Sequence, residues 1–87
     1  MKRKLLSDAI TTNRRNRLYL YEYGNDDYYI VGYTLYGKHE ERRYETLNHA
    51  SWLFCSAYEK FLKMFGADNV LVSGEIQLPK EGHCYQW

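Results

Sequence analysis

The chain has 87 residues, 45% of them hydrophobic, with ten tyrosines, one proline and a formal net charge of +1. A chain of this length can build one thin core, and its aromatic content excludes a disordered polymer. The near-neutral charge excludes the whole-chain basic excess of a dedicated nucleic-acid binder. We therefore expect a single domain over residues 1–87.

The longest apolar runs span only a few residues, well short of the roughly 20 that a membrane helix needs. The basic residues 2–4 are followed by two leucines and then by Ser7 and Asp8, which is not the pattern of a secretory signal. We therefore expect no membrane association and a cytoplasmic location. In a reducing cytosol, Cys55 and Cys84 would be free thiols.

Residues 1–16 form a basic N-terminal segment in which Asp8 is the only acidic residue. The apolar residues of this segment recur at helical spacing; they are Leu5, Leu6, Ala9 and Ile10. The polar residues 11–13 then interrupt the pattern. The spacing predicts a short N-terminal helix.

Two β-favouring stretches follow, at residues 17–23 and 28–36, and the turn sequence of residues 24–27 separates them. Residues 37–40 suit a second turn, after which residues 41–45 form a third strand. The pattern predicts a three-stranded antiparallel meander.

Residues 47–65 carry apolar side chains at spacings of three and four, with Thr46 or Asn48 as the cap and Gly66 as the stop. The spacing predicts one long helix. Residues 70–72 and 76–78 could form a short fourth strand, and residues 74–87 are expected to form a C-terminal tail. The expected fold is α+β, with the meander packed on the long helix and a core in residues 17–73.

The turn lengths decide which side chains share a face of the sheet, because side chains alternate along each strand. An even loop at residues 24–27 places Leu20 opposite Val31, and a four-residue second turn places Tyr33 opposite Tyr44. The face predicted to meet the helix carries Leu18, Leu20, Val31, Tyr33, Leu35 and Tyr44. The second face carries Tyr19, Tyr21, Tyr23, Tyr28, Ile30 and Tyr36, with Thr34, Glu41, Arg43 and Glu45 around them.

Five tyrosines on the second face are unusual, since the solvated side of an antiparallel sheet is normally polar. Tyrosine combines a rigid apolar ring with a hydroxyl group and is enriched at interfaces. Cross-strand tyrosine pairs can also stabilise a sheet by themselves, and the N-terminal helix or the tail could cover them. The candidate partner-binding residues are Tyr19, Tyr21, Tyr23, Tyr28, Ile30, Tyr36 and Arg43. Such an aromatic face could equally mediate a homodimer.

Residues with reactive or metal-binding side chains do not fall at the spacings that chemistry requires. The histidines and cysteines lack the close pairs of zinc sites, the acidic pairs lie in turns, and the glycines form no phosphate loop. We therefore expect no catalytic site, no metal and no cofactor. Trp52 is either a core residue beneath the N-terminal segment or an exposed anchor. The sequence does not decide whether Trp87, the last residue, is frayed or docks on a partner.

A compact meander with one helix, a tyrosine-rich face, mixed charges and no catalytic set resembles the small inhibitors that bacteriophages make against host defence, including anti-CRISPR proteins. The resemblance is one of class, covers the general architecture and rests on no sequence motif. It implies a non-enzymatic inhibitor that binds a host protein or protein–RNA complex.

A second resemblance rests on four short stretches, at residues 44–50, 57–58, 64–66 and 69–71. These stretches resemble the end of the AP2 and integrase arm-binding fold, in which three strands precede a helix and the open sheet face reads DNA. The likeness implies a small nucleic-acid-binding module as the alternative. Tyrosines could then stack on bases while Arg14, Arg15 and Arg17 contact phosphates.

Overall fold

A five-stranded antiparallel sheet with one long helix against one face makes up the computed structural model, which describes residues 2–79. The strands lie in the order β4-β3-β2-β1-β5. The elements are β1 (Arg3–Thr11), β2 (Arg17–Tyr23), β3 (Tyr28–Leu35), β4 (Lys38–Tyr44), α1 (Leu47–Phe65), a short 3₁₀ helix (Ala67–Asn69) and β5 (Val70–Ser73). The α+β class and the long helix are confirmed.

The predicted N-terminal helix is wrong, because this segment is strand β1, paired with β2 on one side and β5 on the other. A β-bulge between Leu5 and Ser7 shifts the register of its pairing with β2. The extra residue lets Leu6 and Ser7 both be buried although they are adjacent. The bulge therefore disrupts the two-residue alternation that would have marked a strand. The sheet therefore has five strands instead of the three of the predicted meander.

The first predicted register is confirmed, since Leu20 pairs with Val31 and Leu18 with Tyr33. The prediction of a four-residue second turn is wrong. The turn contains only Tyr36 and Gly37, at φ values of 51° and 83°, and Tyr33 pairs with Glu40 instead of Tyr44. Two positive φ values suit the two-residue hairpin turn that matches strand twist. The register moves by an even number of residues, so the side chains of residues 41–44 keep their predicted faces, while residues 38–40 belong to β4 instead of the turn.

Helix α1 begins and ends at the predicted residues. The Oγ1 atom of Thr46 accepts a hydrogen bond of 3.3 Å from the amide of His49, and the amide of Gly66 donates to the carbonyl of Leu62 at 2.8 Å. The buried core lies between the helix and the predicted face of β2 and β3, with Leu18, Leu20, Phe54 and Tyr58 at its centre.

Residues 74–79 pack on the helix side of β1, so the first part of the predicted tail belongs to the core. The amide of Ile76 donates to the carbonyl of Leu6 at 2.8 Å, and the hydroxyl of Tyr58 donates to the carbonyl of Pro79 at 2.9 Å. Residues 76–78 form no strand. The remainder of the predicted tail, including Trp87, lies outside the described residues.

Cys55 is buried in α1 and is disulfide-bonded. The expected free thiol is therefore wrong at this position. The other cysteine in the sequence, Cys84, lies outside the described residues.

Candidate functional site

The sheet face opposite α1 has no described element over it. The helix packs on the side of Leu18 and Leu20, and residues 74–79 lie on that same side. We call the uncovered side the open face. By register it carries Arg3, Leu5, Asp8, Ile10, Arg17, Tyr19, Tyr21, Tyr23, Tyr28, Ile30, Gly32, Thr34, His39, Glu41, Arg43, Leu71 and Ser73. Within residues 2–79, neither of the predicted covers, N-terminal helix or tail, is in place.

Four tyrosines form a continuous row along the open face, which we call the tyrosine cluster: Tyr19, Tyr21, Tyr23 and Tyr28. The ring centroids of Tyr19 and Tyr21 are 5.4 Å apart in an edge-to-face arrangement, and those of Tyr21 and Tyr23 are 6.3 Å apart. The rings of Tyr23 and Tyr28 stack across the hairpin at 5.1 Å and an interplanar angle of 5°. Each of these distances lies in the range of favourable aromatic pairs.

Three arginines from three strands lie over rings of the tyrosine cluster. The guanidinium carbon of Arg3 is 4.5 Å from the ring centroid of Tyr21. The same atom of Arg17 is 4.7 Å from Tyr19, and that of Arg43 is 4.1 Å from Tyr28. Cation–π contacts of this kind contribute about 0.5–1 kcal/mol each at exposed sites. They hold the arginine side chains against one face of each of these three rings.

Tyr19 is buried, at 4% exposure, although it lies on the open face. Its ring covers Gly32, where a Cβ atom would lie 2.4 Å from the ring. Its hydroxyl donates a hydrogen bond to the carboxylate of Glu41, and His39 Nε2 lies 3.4 Å away. Burial raises the pKa of the Tyr19 hydroxyl, and the hydrogen bond to the Glu41 carboxylate raises this pKa further.

Asp8 gives the open face a nearly buried carboxylate. Its Oδ1 atom accepts a hydrogen bond of 2.6 Å from Nε of Arg17, and the hydroxyl of Ser73 donates to Oδ2 at 3.4 Å. The same guanidinium donates to the hydroxyl of Tyr21 at 3.4 Å. Asp8 therefore holds Arg17 in the position from which it covers Tyr19.

The structure brings most of the predicted binding residues together: the tyrosine cluster, Ile30, Arg43 and Arg17 share the open face. Tyr36 does not join them. It occupies the β3–β4 turn, is 75% exposed, and its ring lies 6.1 Å from that of Phe65 on the helix side. Arg14 and Arg15 are exposed in the loop between β1 and β2. Trp52 is 61% exposed and therefore not a core residue.

Sequence reasoning missed Arg3, Asp8 and His39 as parts of this site. Arg3 and Asp8 belong to β1, and the helical interpretation of that segment hid their place beside β2. His39 was assigned to a turn that is in fact strand β4. The available signal for a buried ion pair was Asp8 itself, the only acidic residue in a basic segment that also carries several apolar residues.

No group of three or more potential metal ligands is present among the described residues. Residues 2–79 also contain no helix with the length and apolarity needed to span a membrane. Comparisons with known protein families, with curated proteins and with solved structures each found no match.

Proposed function

We propose that this chain is a non-enzymatic binding protein that recognises a partner protein through the open face, with the tyrosine cluster at the centre of contact. The observation that carries the proposal is a row of four tyrosines, braced by three arginines, on a sheet face that no described element covers.

The composition of this face supports protein recognition. Tyrosine and arginine are enriched among the residues that carry most of the binding energy at interfaces. Rings held by cation–π contacts and by the Asp8–Arg17 pair lose little side-chain entropy when a partner binds. The open face is therefore preorganised for contact.

The contacts of the rings favour a protein over a nucleic acid. Base stacking needs a free ring face, whereas arginines already lie over Tyr19, Tyr21 and Tyr28. The carboxylates of Asp8 and Glu41 also lie on this face, and Asp8 already pairs with Arg17. A nucleic-acid module remains the alternative, because Arg14 and Arg15 are exposed next to Arg17.

The class-level resemblance to phage inhibitors suggests a host protein or protein–RNA complex as the partner, and the proposal includes an inhibitory role of the anti-CRISPR kind. A cytoplasmic location is also part of the proposal. The disulfide at Cys55 weighs against that location, since such bonds are typical of oxidising compartments.

The experiment is affinity capture from host cells followed by mass spectrometry, with the tagged wild-type chain and two variants. Tyr21→Asp with Ile30→Asp places two charges at the centre of the open face, where these residues pair across β2 and β3. Tyr36→Asp is the matched control, because Tyr36 is an exposed tyrosine outside this face. We expect the wild type and the control to recover the same partner and the double variant to lose it.

Circular dichroism checks that each variant is folded. Retention of the partner by a folded double variant would reject the open face as the binding surface. Capture of DNA or RNA that falls steeply with added salt would favour the alternative, since phosphate contacts release counterions. A concentration-dependent dimer that the double variant abolishes would assign the open face to a second copy of the chain.

A further inference from the structure

Strand β4 lies at one edge of the sheet, and its outer side pairs with no other strand of residues 2–79. It spans seven residues, and all of them except Tyr44 are exposed. The strand at the opposite edge, β5, spans only four residues. An edge strand presents a row of unpaired N–H and C=O groups that can pair with another chain. β4 is therefore the longer free edge of the described sheet.

The two-residue turn before β4 determines which backbone groups face this free edge. In such a hairpin the residues that flank the turn, here Leu35 and Lys38, form a hydrogen-bonded pair. Hydrogen-bonded and non-hydrogen-bonded pairs then alternate along the two strands. The N–H and C=O groups of His39, Glu41 and Arg43 therefore point away from β3. The side chains of these same three residues lie on the open face.

The charges of β4 complement those of a second copy of β4 in one antiparallel register. Two identical antiparallel strands are related by a two-fold axis perpendicular to the sheet, and residues opposite each other lie on the same face. With the axis at Arg42, Glu41 of each copy lies opposite Arg43 of the other copy. His39 of each copy then lies opposite Glu45. Opposite charges in such cross-strand positions stabilise the pairing of the strands.

The neighbouring registers place like charges where they cannot separate. An axis at Glu41 sets the two copies of Glu41 opposite each other, and this carboxylate is held by the hydroxyl of Tyr19. An axis at Arg43 sets the two copies of Arg43 opposite each other, and an axis at Glu40 does the same for Glu40. With the axis at Arg42 the like pair is Arg42 with itself, an exposed long side chain that can extend into solvent. The charges therefore favour the axis at Arg42.

We propose that β4 pairs with β4 of a second copy of this chain, antiparallel and with the two-fold axis at Arg42, so that one sheet continues across both copies. Glu41 and Arg43 then exchange about four main-chain hydrogen bonds across the axis and form an ion pair on each side of it. Arg43 already pairs with Glu45 at 3.0 Å, but a guanidinium has further N–H donors and a carboxylate has further acceptor positions. The inference does not depend on the partner of the open face.

The test begins with sedimentation and light scattering of the whole chain, from micromolar to millimolar concentration. Glu41→Arg and Arg43→Glu each place like charges opposite each other on both sides of the axis, and we expect each change to weaken the dimer about tenfold or more. Lys63→Glu is the matched control, because it changes the net charge as Arg43→Glu does but at an exposed residue of α1. This control should dimerise as the wild type does.

A mixture of the two edge variants is the decisive sample, since Glu41→Arg in one chain and Arg43→Glu in the other restore opposite charges at every position. We expect the mixture to associate within a few-fold of the wild type. Glu41→Arg mixed with Lys63→Glu has the same net charges without the complementary edge. In that mixture, a fluorescently labelled Glu41→Arg chain should remain monomeric.

Amide exchange followed by NMR tests the strand pairing in the wild-type chain, without any substitution. The amides of Glu41 and Arg43 should gain protection as concentration rises, whereas those of Glu40 and Arg42, which face β3, should be protected throughout. Exchange that does not depend on concentration at these two outward amides would contradict the proposal.

Three further results would overturn the edge pairing. The first is a wild-type chain that stays monomeric at millimolar concentration. The second is a dimer that both folded edge variants retain, or a mixture of these variants that fails to recover it. The third is a dimer that the edge variants retain and that Tyr21→Asp with Ile30→Asp abolishes, which would place the second copy on the open face. Circular dichroism checks that each variant is folded.

Discussion

The tyrosines of this protein occupy very different environments, and two buried ones, Tyr19 and Tyr29, donate hydrogen bonds to carboxylates. Tyr19 donates to Glu41, and the buried Tyr29 donates to Asp26 and to Glu22, the latter at 3.3 Å. For both hydroxyls, burial is the first cause of the raised pKa and the carboxylates raise it further.

These raised pKa values predict a loss of stability at alkaline pH. In the unfolded chain a tyrosine ionises with a pKa of about 10. Above that pH the unfolded state releases the protons of Tyr19 and Tyr29 while the folded state retains them, so the free energy of unfolding falls as pH rises. Tyr19→Phe removes one of these protons, and we expect the variant to lose less stability than the wild type between pH 9 and pH 11.

Urea unfolding at several pH values measures this difference. Absorbance at 295 nm should show that a fraction of the ten tyrosines ionises only as the wild-type protein unfolds, and this fraction should be smaller in Tyr19→Phe. An identical pH dependence in the wild type and Tyr19→Phe would show that Tyr19 retains an ordinary pKa.

Gly32 and Tyr19 form a second residue-level pair, because the ring of Tyr19 occupies the space of the missing side chain. Gly32→Ala should displace the ring from Glu41 and destabilise the fold by about 1–3 kcal/mol. In a Tyr19→Ala background the added methyl group has room, so the same change should cost little. The double-mutant cycle in urea yields the coupling between the two positions. A coupling near zero would mean that the ring moves aside freely.

Among the elements of the fold, strand β1 was not predicted from the sequence, whereas β2, β3 and α1 were. The register of β2 and β3 and both ends of α1 follow from local signals, namely alternating side chains, a four-residue turn and helix caps. The bulge at residues 5–7 replaces strand alternation with helical spacing, and the pairing of β1 with β5 joins residues far apart in the chain. Pairing at such separation leaves no local pattern, so the open face was predicted without its β1 residues.

The bulge makes Gly74 a test of this element. Its φ is 107°, and a Cβ atom there would lie 2.6 Å from the carbonyl oxygen of Leu6. Gly74→Ala combines backbone strain with a backbone clash, and we expect a cost of about 2–4 kcal/mol. Gly37→Ala is the control, since Gly37 has a φ of 83° and open space around it.

Gly37→Ala should therefore show the strain alone, about 1–2 kcal/mol. Thermal and urea unfolding of the two variants give the comparison. Equal losses would indicate that the backbone of residues 6–7 moves away from position 74 without cost.

The disulfide at Cys55 concerns the molecule as a whole, because it adds a covalent link to a thin core. Disulfides typically stabilise a fold by about 2–4 kcal/mol. We expect thiol titration of the unreduced, denatured protein to detect no thiol, and a reductant to lower the unfolding temperature. Cys55→Ala should lose this sensitivity to reductant. Two thiols in the protein purified without reductant would show that the bond does not form in solution.

Sequence patterns located the tyrosine cluster because tyrosines alternate along β2.

The pairing of β1 with β5 has a consequence for how the protein is made. Thr11 lies beside Val70 and Asp8 beside Ser73, so the first strand keeps an unpaired edge until residues 70–73 have left the ribosome. A chain stalled before that point would expose an apolar edge that can join other nascent chains. Ribosome stalling that holds residues 70–73 inside the exit tunnel should therefore favour aggregation on polysomes, whereas release of the chain should end this exposure.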